Sequence, residues 1–472
     1  MSRVVIIGGG PAGLGAAYAL EASGHHDWVL LERDAVAGGL SRSFVDDHGY
    51  TWDIGGHVLF SHYEEFDAAT GESLEPDGWV EHVREAWVRL DSVWVPYPFQ
   101  NNLHRLPAAR RADCLAGLVS AALDRSQDAP GDFAQYQERT FGPGIADAFM
   151  SPYNEKVWAY PLSDMAWQWI GDRVSVPDPV RAVRNAVLGV DEVGWGPNSV
   201  FRFPLEGGTG GLWRAVARRL PQDRVRYGIA VVRVDLDAHL LELSDGSEVG
   251  YDSLVSTMPL DLLANSTGDN ELSRAATSLR HSSVNVIGIG MRGDPPESVQ
   301  GKCWMYFPDP AVPFYRVTHF SHYSPNNVPA GGGRWSLMVE VSESPYRAID
   351  QSMLGKQCVE CLQREGLIPE GAEIESFWTH RVEYGYPTPS LGRDDALARL
   401  LPALALQDVY SRGRFGGWKY EVGNMDHSFM QGVEVAQLLT SGSDETTLFD
   451  PEAVNTRRRS RPTEVRERGQ RR

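Results

Sequence analysis

The sequence predicts an α/β protein: a discontinuous Rossmann-like dinucleotide-binding domain joined to an α-helical bundle domain and an antiparallel β-sheet domain. Three observations carry the prediction. Residues 4–13 read Val-Val-Ile-Ile-Gly-Gly-Gly-Pro-Ala-Gly, residues 103–194 repeat apolar positions at helical spacing, and residues 276–403 hold strand-like runs alternating apolar with polar.

The opening run justifies the first domain. Four successive apolar residues suit a strand buried on both faces of a parallel sheet, and Gly8, Gly10 and Gly13 follow with G-x-G-x-x-G spacing. An Ala/Leu-rich helix over 14–22 comes next, so Pro11, Ala12 and the backbone N–H groups at its start can face a pyrophosphate. A second apolar run, 29–31, ends in Glu32, about 20 residues past the glycines, where a carboxylate can accept hydrogen bonds from a ribose hydroxyl. Strand, glycines, helix, strand and acid in register predict an adenine dinucleotide site. Gly38-Gly39-Leu40-Ser41-Arg42 adds a second glycine turn on the same side of the sheet, with Arg42 as a cation for phosphate. NAD has no need of that turn and FAD would use it; an ordinary surface loop is the alternative.

Asp53-Ile54-Gly55-Gly56-His57-Val58-Leu59-Phe60 is a glycine-broken apolar run in which Gly55 and Gly56 would let the chain lie flat against a ring, with His57 at its edge. A single histidine is more often structural than chemical. Residues 87–100 read as one or two strands ending in Pro96-Tyr97-Pro98-Phe99-Gln100-Asn101-Asn102. Two prolines exclude a central strand. Tyr97 and Phe99 could then sandwich a planar base whose edge Gln100 reads, or form a proline-rich corner over a core.

Cys114, Leu115, Leu118, Val119, Ala122 and Leu123 mark an amphipathic helix in the bundle. Phe149, Tyr153, Trp158, Trp167 and Trp169 are read mostly as core, and Arg173 among them matters only if it points into a cleft. After the glycine cluster 207–211 a helix over 212–220 and short strands over 230–257 return to the dinucleotide domain. Strands near 284–290, 303–307, 314–320 and 334–341 bear Tyr306 and Arg316, with Tyr323 beside them, and a helix over 426–440 closes the fold. The predicted divisions are 1–78, 208–275 and 404–442 for the dinucleotide domain and 103–194 for the helical bundle. Segments 79–102, 195–207 and 276–403 form the sheet and substrate domain, and 443–472 is an extension.

Composition narrows the function. A net charge of −19 argues against a nucleic-acid partner. Eight arginines against two glutamates over 457–472 give that tail +6 and leave −25 elsewhere, the pattern of a solvated, disordered end. No run of about 18 apolar residues exists, so a soluble, cytoplasmic protein without a membrane partner is expected. Four cysteines suggest no disulfide framework; Cys358-x-x-Cys361 lacks the second pair of a zinc site and reads as helical core thiols, so no metal is expected.

Four irregular motifs are more specific: Gly55-Gly56-His57-Val58-Leu59-Phe60-Ser61-His62-Tyr63, Trp94-Val95-Pro96-Tyr97-Pro98-Phe99-Gln100-Asn101-Asn102, Pro152-Tyr153-Asn154-Glu155-Lys156-Val157-Trp158 and Gly423-Asn424-Met425-Asp426-His427-Ser428. Together they resemble UDP-galactopyranose mutase, most closely its eukaryotic, fungal-type branch, in the FAD-dependent amine-oxidase-like superfamily. The likeness runs from about residue 4 to residue 440. It implies an isomerase that interconverts pyranose and furanose forms of a UDP-sugar, UDP-galactose by default, through attack of reduced FAD N5 on the anomeric carbon. NADPH or NADH would be the reductant, and a homo-oligomer is left open.

The resemblance also implies roles. FAD would be held by Gly8, Gly10, Pro11, Ala12, Gly13, Glu32, Arg33, Gly38, Gly39, Leu40, Ser41 and Arg42, and by Gly55, Gly56, His57, Arg414, Gly423, Asn424, Met425 and Ser428. Gly56 and His57 would sit near N5. Tyr97 and Phe99 would sandwich uracil and Gln100 read its edge. Arg173 and Arg316 would clamp the diphosphate, aided by Tyr306, Tyr386 and Tyr420, while Phe149, Asn154, Trp158, Asn198, Tyr323 and Asn424 would line the nucleotide and sugar. Met425 stands where fungal members carry glutamine, Ser151 replaces an arginine, Tyr160 replaces a valine, and the segment 323–335 is shorter. These departures leave open a UDP-arabinopyranose or deoxysugar-nucleotide mutase. A flavin amine oxidase or desaturase of the same superfamily is the rival class.

Overall fold

The computed structural model describes residues 3–124, 128–171, 174–194 and 199–455. The opening apolar run forms the strand Val4–Ile7 at the centre of a five-stranded parallel sheet, ordered Val409–Ser411, Ser253–Ser256, Val4–Ile7, Trp28–Glu32 and Val225–Tyr227. Its strands come from three separated stretches of chain. The glycine helix Pro11–Ala22 packs against the C-terminal helix Met425–Ser441 so closely that a side chain on either contact glycine would strike backbone. A Cβ on Gly15 would lie 2.2 Å from the Phe429 carbonyl oxygen, and one on Gly432 1.9 Å from that of Ala12. Of the strands over 230–257 only Ser253–Ser256 joins the parallel sheet; Val231–Asp235, Leu240–Leu243 and Glu248–Gly250 make a three-stranded sheet of their own.

The second layer is a seven-stranded sheet in the order Ile374–Thr388, Arg280–Arg292, Arg334–Glu343, Arg316–His319, Trp304–Tyr306, Ala86–Leu90 and Val93–Pro96. It is antiparallel except where Trp304–Tyr306 runs parallel to Ala86–Leu90. The strand that ends at Pro96 is an edge strand, as a residue without a backbone N–H requires. On the long strand Arg280–Arg292, Gly288 and Gly290 leave room for the rings of Trp52 and Tyr50, each of which a Cβ would meet at 2.5 Å. Both rings are fully buried. At roughly 25 cal/mol per Å² over about 150–250 Å², each contributes on the order of 4–6 kcal/mol. This packing fixes the strand Thr51–Asp53, which leads into the Gly55-Gly56-His57 turn.

Helices Ala108–Leu123, Phe133–Ile145 and Pro179–Leu188 make the bundle, and a π-helical turn, Ala146–Met150, runs directly into Ser151–Trp158. Cys358 and Cys361 are buried on the helix Gln351–Arg364, in agreement with the reading as core thiols. Within the C-terminal extension, Leu448 and Val454 are buried and the Thr447 hydroxyl donates to Glu434 Oε1 at 2.7 Å, so its first part docks on the last helix. The arginine-rich tail lies outside the described residues. No helix among them is long and apolar enough to cross a membrane.

Candidate active site

The dinucleotide end of the site is built by glycines in contact. Gly8 has φ +102° and a Cβ there would lie 2.1 Å from Thr257 Oγ1, while Gly10 faces the Gly39 Cα and the Gly38 N–H donates to the Gly9 carbonyl at 2.8 Å. The two glycine turns expected on one side of the sheet therefore touch. Gly10 caps the 12-residue helix without a side-chain hydrogen bond, which leaves first-turn N–H groups for an anion. Glu32 accepts from the Gly9 N–H at 2.5 Å and from the Asp34 N–H at 2.8 Å; burial raises its pKa. Arg42 is held by Asp34 at 2.7 Å and donates to the Gly39 carbonyl, whereas Arg33 is 73% exposed and turned outward. Ser41 is buried and Leu40 half-buried beside this turn, and the Ser41 carbonyl accepts from Thr209 Oγ1.

Between the two sheets lies a carboxylate that the sequence reading did not single out. Glu340, 2% exposed on the strand Arg334–Glu343, accepts Arg316 Nε and Nη2 at 2.7 Å each, the Tyr315 hydroxyl at 2.7 Å and the Gly56 N–H at 3.1 Å. Burial opposes its charge, yet Arg316, Tyr315 and Gly56 together hold its pKa below the usual carboxylate value. The signal was present in the sequence as a lone glutamate between Val339 and Val341. His57 beside Gly56 is pushed down to about 4, chiefly by burial with Arg414 and Arg316 adding to it against the pull of Glu340, so its ring is neutral at physiological pH.

Aromatic rings wall the other side. Tyr97 meets Tyr306 edge-on at 5.6 Å, Tyr153 lies 5.3 Å from Tyr306, and Phe149 stacks on Tyr153 at 5.1 Å. Trp158 meets Tyr420 at 4.9 Å and Tyr386 at 5.7 Å. Arg414 lies over the Tyr386 and Tyr420 rings, anchored by the Gly385 and Gly423 carbonyls. Tyr315 and Tyr386 bring their hydroxyls to 3.2 Å, which joins this wall to the Glu340 centre. Asn154 is half-buried, with Nδ2 donating to the Met150 carbonyl at 2.8 Å. Asn424, exposed, caps the last helix without a side-chain bond, Met425 accepts from Trp213 Nε1 at 3.3 Å, and Ser428 is buried one turn on.

The expected base clamp is only partly open. Tyr97 is half-buried, edge-on to Tyr306 and Phe149, but Phe99 is fully buried against Phe149 at 4.9 Å. The 3₁₀ turn Phe99–Asn101 rotates that ring into the core, so the two rings do not present a sandwich. Gln100 donates to the Ser175 carbonyl, and its Oε1 is buried with no partner among the described residues. Tyr323 is also fully buried, inside the cluster of Phe201, Phe203 and Trp304. Arg173 and Asn198 lie outside the described residues.

These residues fit a long flavin dinucleotide. The paired glycine turns are a cradle that a Cβ would fill, and among the described residues the buried atoms His57 Nδ1, Trp304 Nε1, Thr318 Oγ1 and Trp158 Nε1 have no hydrogen-bond partner. Thr318 Oγ1 and Trp304 Nε1 both back on Gly56.

The sequence model of the flavin containing amine oxidoreductases matches residues 11–440. A crystal structure of reduced UDP-galactopyranose mutase superposes with a TM-score of 0.94 at 45% identity, covering 96% of this chain and 97% of that one. Cyclohexylamine oxidase from Brevibacterium oxydans (14% identity, 93% and 99% of the two chains, TM-score 0.64) shares the fold, as does a fatty acid isomerase from P. acnes (14%, 92% and 98%, TM-score 0.62). An uncharacterized protein in the nifH2 3′ region of Methanothermococcus thermolithotrophicus is 53% identical over 57 residues, 12% of this chain, and the match spans about half (53%) of that relative's length.

Proposed function

We propose, from the premise that this chain belongs to the UDP-galactopyranose mutases within the flavin-containing amine oxidoreductases, that it is a flavin-dependent UDP-sugar mutase with UDP-galactopyranose as its default substrate. The observation that carries this reading is the buried carboxylate of Glu340, which holds both the Gly56 turn and Arg316 in one cleft. When bound in reduced form, FAD would supply a nucleophilic nitrogen, N5, to the anomeric carbon.

The chain's own groups then bind, orient and exclude water. Arg316 spends two of its five N–H donors on Glu340 and keeps three for diphosphate oxygens. Because that pair is neutral overall, Arg414 and Arg173 would provide the charge that stabilises a departing UDP anion. Tyr97 would lie against the uracil, with Gln100 Oε1 accepting from its edge. The Trp158, Tyr386 and Tyr420 rings would keep water from the sugar. Neutral His57 could donate or accept at the ring edge without adding charge.

NADPH or NADH as reductant, a cytoplasmic location and a homo-oligomer are parts of the proposal. UDP-arabinopyranose is the first alternative substrate. Purified protein should be yellow, and reduction by dithionite or NADPH should switch on conversion of UDP-galactofuranose to the pyranose, read by chromatography. No product from any UDP-hexose or UDP-pentose under full reduction would refute the reading, and peroxide released from amines would assign an oxidase instead.

A further inference from the structure

Lys156 lies on the helix Ser151–Trp158, whose Tyr153, Asn154 and Trp158 meet the cleft, yet it is 4% exposed and points the other way. Its Nζ donates to the carbonyls of Phe307 at 2.6 Å and Asp309 at 3.0 Å. Those two residues begin the loop 307–315, which closes the hairpin of Trp304–Tyr306 and Arg316–His319; Tyr306 and Arg316 are the facing pair at its mouth. Arg347 reinforces the same junction, donating to the Lys156 carbonyl at 3.3 Å and the Pro313 carbonyl at 2.9 Å. The end of the helix is tied down as well, by Ser342 to the Val157 carbonyl at 2.6 Å and by Ser344 to that of Ala159.

We propose that Lys156 is a positioning residue for the nucleotide site: its amine, shared between two carbonyls of the 307–315 loop, sets the Tyr153 and Trp158 face at its distance from Tyr306 and Arg316. This rests on the reading of that cleft as a UDP site. The chemistry of the pocket suits the role. Burial and Arg347 push the lysine down to about 6, against the opposing pull of Asp309, Cys361 and Cys358. A neutral amine has two N–H groups for two carbonyls, so every donor is used, whereas an ammonium would leave its third donor unmatched in the core.

The test measures UDP affinity by tryptophan fluorescence, together with bound flavin per chain, in the wild type, Lys156→Met and Lys156→Gln. Wild type should bind UDP; if it does not, the UDP-site reading fails and the proposal with it. Lys156→Met should keep stoichiometric flavin and raise the UDP Kd about tenfold or more, since an ångström of misplacement is enough to do so. Lys156→Gln, neutral and still a two-hydrogen donor but one bond shorter, should fall between, at about three- to fivefold. An unchanged Kd in both variants, or flavin lost in step with UDP affinity, would overturn the positioning role. Where Lys156→Met yields no folded protein, Lys156→Gln decides alone: a Kd raised at least threefold with full flavin upholds the proposal, and an unshifted one overturns it.

Discussion

Replacing Glu340 with glutamine tests the centre of the site. The carboxylate accepts four hydrogen bonds, two from Arg316 and one each from Tyr315 and Gly56. Glutamine keeps one accepting oxygen and turns an NH₂ toward at least one of these donors, so about two bonds are lost and the guanidinium is left without a counter-charge. Hydrogen bonds to charged groups contribute about 1.5–3 kcal/mol each, and breaking one side of a buried ion pair costs roughly 3–5 kcal/mol. The expected destabilisation is therefore about 3–5 kcal/mol, a Tm lower by about 3–5 °C at roughly 1 °C per kcal/mol for a chain of 472 residues. UDP would bring two phosphates to the freed Arg316, so it should raise the Tm of Glu340→Gln more than that of the wild type. Thermal unfolding followed by flavin fluorescence, with and without UDP, reads both effects. A variant as stable as the wild type, or an identical gain from UDP in the two proteins, would refute the reasoning.

Gly8→Ala places a methyl group 2.1 Å from Thr257 Oγ1 at φ +102°, so the variant should purify colourless, as judged by absorbance near the flavin band. Asp53 is fully buried and its pKa is pushed up to about 7 by burial, despite hydrogen bonds from Ser43 and Thr209. Its folded pKa exceeds the unfolded value of about 3.9, so the stability it contributes is complete below that pH and is lost as pH rises toward 7. Wild-type Tm should accordingly fall between about pH 4 and 7, and Asp53→Asn should flatten that part of the curve; parallel curves would place the titration elsewhere. Arg316→Ala should lose activity far more than flavin, and equal loss of both would assign Arg316 to cofactor binding.

How much of this was legible in the chain depended on distance along it. The dinucleotide end was readable because strand, glycine turn, helix and acid follow one another within 32 residues, and local chemistry decides each of them. The edge position of Val93–Pro96 was readable for the same reason, since proline lacks the N–H a central strand needs. The rotation of Phe99 was not, because Tyr97 and Phe99 look equivalent until the 3₁₀ turn sends one ring to the cleft and the other to the core.

The sequence by itself determined the elements, the glycine cradle and the aromatic and arginine residues from which a site could be drawn. Only the tertiary structure decided that Glu340 would join Gly56 to Arg316, residues 284 positions apart in one case and 24 in the other, and that Lys156 would brace a loop 151 residues away. Glu340 between Val339 and Val341 signals a buried charge without naming its partner, and Lys156, next to Asn154 and Glu155, carries no such signal. The partner is chosen where two sheets and a helix pack together, and there a charge withdrawn from water must find its hydrogen bonds or lose its proton.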